Sequence, residues 1–93
     1  MDLAHLQDVI ERTYGARDRE RGLPSTVAWL AEEVGELAQA VRKGTQAQRE
    51  HEFADVLAWV ASLANQVDVD LTVAVRRYAE GCPRCGASPC ACP

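Results

Sequence analysis

Apolar residues recur every three to four positions along most of this chain, and the phase breaks at a few short clusters of Gly, Pro, Thr and Asp. Leu3, Leu6, Ile10 and Thr13, with Val9 and Tyr14 close by, predict a first amphipathic helix that ends at Gly15. The polar stretch from Gly15 to Pro24 carries Arg17, Arg19 and Arg21 and is expected to be an exposed loop, its arginines solvated or turned to an anionic ligand. Ser25, just after Pro24, is the expected N-cap of a second helix whose core stripe is Val27, Leu30, Val34, Leu37 and Val41, with Gly44 as its stop. Thr45 and Gln48 have capping-box spacing, so a third helix, expected to be the longest element, starts there and reaches about Val67. Phe53, Val56, Leu57, Val60, Leu63, Ala64 and Val67 form its apolar face. Asp68 or Asp70 caps a short fourth helix with Leu71, Val73, Val75 and Tyr78, closed by Gly81. There is no alternating β-branched run between hairpin turns and no internal repeat, so the expected fold is all-α, a bundle of about four helices.

The polar faces of the two central helices are acidic. Glu33 and Glu36 share a helix face with Glu32 beside them, and Glu52 and Asp55 repeat the arrangement on the next helix, with His51 and Trp59 among them. No Lys or Arg stands three or four residues from Glu32, Glu33 or Glu36, and like charges at that spacing cost a few tenths of a kcal/mol per pair. Arg49 is in reach of Glu52 by spacing alone. Five carboxylates in this phase suit a hard cation, Mg2+ or Mn2+, better than an ordinary solvated face. Trp29 also falls inside the acidic arc, where a tryptophan packs on a neighbouring helix or subunit, or on a nucleobase.

Composition narrows the classes. Ninety-three residues make one small domain with a limited core, which points to an oligomer. A net charge of −4, a pI near 5.0 and scattered basic residues exclude a nucleic-acid polymer as partner. No stretch resembles a signal peptide or a membrane span, so a cytoplasmic protein is expected.

These residues resemble the MazG-like all-α nucleoside triphosphate pyrophosphohydrolases, whose pattern Glu-Glu-x-x-Glu, a spacer, and Glu-x-x-Asp is met by Glu32, Glu33, Glu36, Glu52 and Asp55. The neighbouring Trp29 to Ala38 and Ala54 to Leu57 are similar as well, and the likeness runs over roughly residues 3 to 80. The resemblance implies a homodimer or higher homo-oligomer that completes the bundle and hydrolyses a nucleoside triphosphate to monophosphate and pyrophosphate. It implies that Glu33, Glu36, Glu52 and Asp55 hold Mg2+ and that Glu32 acts on the attacking water. A Lys-Asn-x-x-Arg-like segment common in the family is not kept; the nearest counterpart is Arg77 to Gly81. Arg76 and Arg77, with Trp29 and Trp59, are the candidate substrate contacts. A phosphoribosyl-ATP pyrophosphohydrolase uses the same chemistry, and a noncatalytic helical dimer with an interacting tail is the competing class.

All four cysteines lie in the last dozen residues. Cys82-Pro83-Arg84-Cys85-Gly86 resembles half of a zinc knuckle, and Cys90 and Cys92 follow. One structural Cys₄ zinc site is expected, over disulfides, an iron–sulfur cluster or free thiols. The chain thus divides into a helical domain, residues 1–80, and a Cys-rich tail, residues 81–93.

Overall fold

A computed structural model describes all residues, 1–93, and it is all-helical, without strands. Helix α1 spans Leu3–Arg21, α2 Leu23–Lys43, α3 Gln46–Gln66 and the single-turn α4 Leu71–Ala74, which passes into a 3₁₀ turn, Val75–Tyr78. α3 is central: α2 packs along one side of it and α1 along another, whereas α1 and α2 touch little. None of the helices is long and apolar enough to cross a membrane.

The first helix does not stop at Gly15. It runs on through the expected loop to Arg21, so Arg17, Arg19 and Arg21 lie on a helix. A glycine inside a helix costs only about 1 kcal/mol relative to alanine, and Gly15 is buried beneath the Glu11 and Arg19 side chains, which pair across it. The true break is Gly22. Its φ of 93° lies where only glycine is unstrained, and one residue therefore separates α1 from α2. Its carbonyl accepts the Thr26 N–H at 3.1 Å and the Thr26 hydroxyl at 3.2 Å. Consequently α2 starts at Leu23 with Pro24 in its first turn, and Ser25 lies inside the helix rather than capping it.

The boundaries of the α2–α3 link fall where the pattern put them, whereas the fourth helix stops at Ala74 and its 3₁₀ continuation at Tyr78, short of the expected Gly81. Gly44 closes α2, and the Thr45–Gln48 capping box opens α3, with Thr45 N–H on Gln48 Oε1 at 2.8 Å and Gln48 N–H on Thr45 Oγ1 at 3.1 Å. With two linking residues, α2 and α3 form an antiparallel hairpin. α3 is not the longest element, since both helices have 21 residues. Asp70, not Asp68, caps α4. Gln7 ties that end to α1 through Asn65 Oδ1 at 3.0 Å, the Val69 carbonyl at 2.9 Å and the Leu71 N–H at 2.9 Å.

Packing departs furthest from the apolar stripes. The buried apolar residues are Ile10, Ala40, Ala61 and Ala64, joined by the polar Asp18, Thr26 and Ser62. Val27, Val34 and Val41 of the α2 stripe are about half exposed, as are Phe53, Leu57 and Val67 of α3. The reason is geometric: α1 lies against α3, and no other part of the chain covers the outer side of the hairpin. On the polar side of α3, Ser62 is buried against Asp18 of α1, to whose Oδ2 its hydroxyl donates at 2.6 Å.

Candidate active site

The acidic stripes face each other across the hairpin. Glu33, Glu36 and Glu52 offer carboxylate oxygens within 4.8 Å of one another, and His51, Glu52 and Asp55 form a second such group that shares Glu52. Glu32 belongs to neither group. Of the five acids only Asp55 has an ion-pair partner, His51 Nε2 at 3.2 Å from its Oδ2. Arg49 does not answer Glu52; it donates instead to the carbonyls of Ala40 and Val41, both at 3.2 Å, at the end of α2.

Two carboxylate oxygens, Glu33 Oε2 and Glu52 Oε2, are buried without any hydrogen-bond partner. Such groups cost free energy unless something satisfies them. Withdrawal from water, then the charges of Glu36, Asp55 and Glu52, push the Glu33 carboxyl from 4.5 up to about 6. Orphaned, mutually repelling oxygens on facing helices are what a hard divalent cation relieves, so the donor set fits Mg2+ or Mn2+ by its chemistry.

Both tryptophans stand beside the acids and stack on each other, with ring centroids 6.0 Å apart and planes within 7°. The pattern placed each in an acidic arc but gave no sign of this pairing. Trp59 also borders a cavity of about 330 Å³ between α1 and α3, with Tyr14, Arg17, Asp18, Arg21 and Asp55. Asp18, Ser62 and Arg21 were missed as a unit. The available signal was the helical period itself, which carries Ile10 and Tyr14 on to Asp18 and Arg21 once Gly15 is not taken as a stop. A second cavity, about 530 Å³, opens beside Glu36 and Glu52 and includes Lys43 and Gln48. Arg76 and Arg77 lie in the exposed 3₁₀ turn, where the Arg77 guanidinium rests 5.3 Å from the centre of its neighbour Tyr78.

In the tail, Cys82, Cys85, Cys90 and Cys92 bring all four sulfurs within 4.8 Å of one another, a group able to hold a metal ion. Gly86, at φ 74°, makes the turn and sends its N–H to the Cys82 carbonyl at 2.7 Å. The Ala91 N–H reaches Cys85 Sγ at 3.3 Å and the Cys92 N–H reaches Cys90 Sγ at 3.4 Å. The thiols are unequal. The Ala87 and Ala91 N–H groups draw Cys85 down to about 6, whereas the hydrogen bond with Cys90, then those with Cys82 and Cys85, push Cys92 up to about 11.

No curated protein matches the chain. A family model does, the MazG nucleotide pyrophosphohydrolase domain, over residues 21–84. That segment holds both acidic stripes and the hairpin that joins them, and it covers more than half of the sequence: the chain belongs to the MazG nucleotide pyrophosphohydrolase family.

Proposed function

We propose that the chain hydrolyses nucleoside triphosphates to the monophosphate and pyrophosphate at the α2–α3 acid cluster. The observation that carries this reading is the pair of unpartnered buried oxygens on Glu33 and Glu52, within a family whose model describes that chemistry. Glu33, Glu36, Glu52 and Asp55 would hold Mg2+ or Mn2+. When bound, the cation offsets the charge of the triphosphate and acidifies a water.

The residues of the chain supply the rest. Glu32 stands outside both ligand groups and has no ion-pair partner, so its carboxylate is free to take the proton of the attacking water. The water oxygen bonds to the α-phosphorus, the bond from that phosphorus to the bridging oxygen breaks, and pyrophosphate leaves. Trp29 offers the base an aromatic face beside the acids, and Trp59, stacked on it and carrying the Arg21 guanidinium, backs that face. Arg76 and Arg77 remain candidate phosphate contacts, brought in by a partner subunit.

A homodimer or larger homo-oligomer belongs to the same proposal, because the apolar side of the hairpin is uncovered. So does a structural zinc ion in the tail. Tetrahedral Zn–S bonds of about 2.3 Å place sulfurs about 3.8 Å apart, and Cys82 and Cys92 already stand at 3.6 Å. Four thiolates close the coordination shell, so this metal stabilises rather than catalyses. One zinc per chain in wild type and less in Cys85→Ser is the expected metal content; equal ratios remove Cys85 from the site.

The deciding assay is pyrophosphate release from a panel of standard and modified nucleoside triphosphates, with Mg2+ and with EDTA. Mg2+-dependent release matched by monophosphate is expected. Silence toward every nucleotide, from folded protein, sinks the reading and passes the question to phosphoribosyl-ATP. Failure there too leaves the noncatalytic dimer.

A further inference from the structure

Arg17 and Arg21 are one helical turn apart on α1, and both line the 330 Å³ cavity whose opposite wall includes Asp55 and Trp59. Like charges at this spacing repel, which is tolerated where an anion will sit. The other arginines of α1 are spent within the helix, Arg12 on Asp8 and Arg19 on Glu11. Arg17 makes no ion pair.

Arg21 is held but not used up. Its Nη2 meets Asp18 Oδ1 at 3.1 Å, its guanidinium carbon lies 5.1 Å from the centre of the Trp59 ring, and its Nη1 has no partner at all. A guanidinium has five N–H donors in a planar fork, so most of its capacity is open. Asp18 is 4% exposed and is itself fixed by the Ser62 hydroxyl at 2.6 Å. Gln66 Nε2 joins Ser62 Oγ at 3.1 Å to Thr26 Oγ1 at 3.0 Å, so the support continues to the start of α2. This network sets the guanidinium in place before any ligand arrives, and the ordering cost of binding is correspondingly small.

We propose that Arg17 and Arg21 form an anion-binding wall of the substrate site and take phosphate oxygens of the triphosphate chain and of its pyrophosphate product. The inference rests on the pyrophosphohydrolase reading for the identity of the anion. It accounts for a gap in the acid cluster, whose carboxylates pair with no Lys or Arg and meet only His51, at Asp55. A planar fork beside Asp55 suits bidentate contact with phosphate. Asp18 acts through Arg21 and is a positioning residue. The family match begins at Arg21, so Arg17 and Asp18 lie outside the segment it describes.

The test is calorimetric titration of the full chain with inorganic pyrophosphate in Mg2+ buffer, with folding checked by circular dichroism. Wild type is compared with Arg17→Gln, Arg21→Lys and the charge-balanced double variant Asp18→Asn/Arg21→Gln. At least about tenfold weaker binding is expected for Arg17→Gln and for the double variant, with Arg21→Lys between, because it keeps charge but loses the fork. Wild-type affinity in the folded double variant, or no pyrophosphate binding by wild type, overturns the proposal. If the double variant does not fold, Arg17→Gln decides, since its exposed side chain supports no other contact. A wild type that binds pyrophosphate through these arginines yet hydrolyses no nucleotide keeps the anion wall and discards the reaction.

Discussion

Glu33 keeps its proton up to about pH 6 because its carboxyl is drawn from water and faces three other acids. Its folded value lies above the ordinary 4.5, so the folded state binds this proton more tightly than the unfolded state does. The resulting stabilisation is complete below pH 4.5 and is lost as the pH rises through about 6. In EDTA, the contribution of Glu33 to thermal stability therefore falls across that window, and melting curves of wild type against Glu33→Gln isolate it. The variant should melt higher than wild type at pH 7.5 without metal, because one repelling charge is gone. It should also lose on the order of 100-fold or more in pyrophosphate release, the effect of several kcal/mol of lost charge stabilisation. A variant that melts lower in EDTA, or keeps the wild-type rate, contradicts the arrangement. Mn2+ affinity should weaken below about pH 6, where proton and cation compete for the same oxygens.

Arg49 shows how an element boundary serves the site. By spacing it belongs with Glu52, yet it reaches back across the turn to the last carbonyls of α2, where a positive charge meets the negative end of the helix. This locks the hairpin and leaves Glu52 unpaired. Arg49→Ala should cost about 1–2 kcal/mol, read as a lower melting temperature, and should reduce metal affinity by letting the stripes slip. The boundaries set by local chemistry were legible in the sequence: the Thr45–Gln48 box, the Gly44 stop and the phase of Glu33, Glu36, Glu52 and Asp55 need only neighbours a turn or two away. The length of α1 was not legible, because the small helix penalty of Gly15 is outweighed by packing beneath Glu11 and Arg19. Nor could the sequence reveal that Asp18 meets Ser62, 44 positions along the chain, since no local period encodes that distance. The stack of Trp29 on Trp59 escaped for the same reason.

As a whole, the chain is larger than its length warrants. Its radius of gyration is 15.4 Å, against about 12 Å for a compact domain of this length. It exposes 6644 Å², whereas a folded monomer of this mass shows about 5,300 Å². The excess, about 1,300 Å², exceeds the roughly 800 Å² that each partner contributes to a standard interface. Val27, Val34 and Val41, a heptad row on α2, supply part of it with Phe53 and Leu57. Sedimentation equilibrium should give at least twice the 10.2 kDa chain mass, and Val27→Glu with Phe53→Glu should shift the protein toward monomer. A monomer in wild type would leave that apolar area unexplained.

The two-residue link between α2 and α3 also bears on time. Glu33 and Glu36 on one arm and Glu52 and Asp55 on the other are drawn together by closing one short turn, at little entropic cost, whereas α1 docks through partners as distant as Asp18 and Ser62. The electrostatic repulsion of the site therefore arises early in folding, before the arginines of α1 come into place. Mg2+ should then speed refolding, beyond any slowing of unfolding, as measured by stopped-flow fluorescence of the two tryptophans, so that the cation acts as a folding aid for the hairpin as well as its ligand.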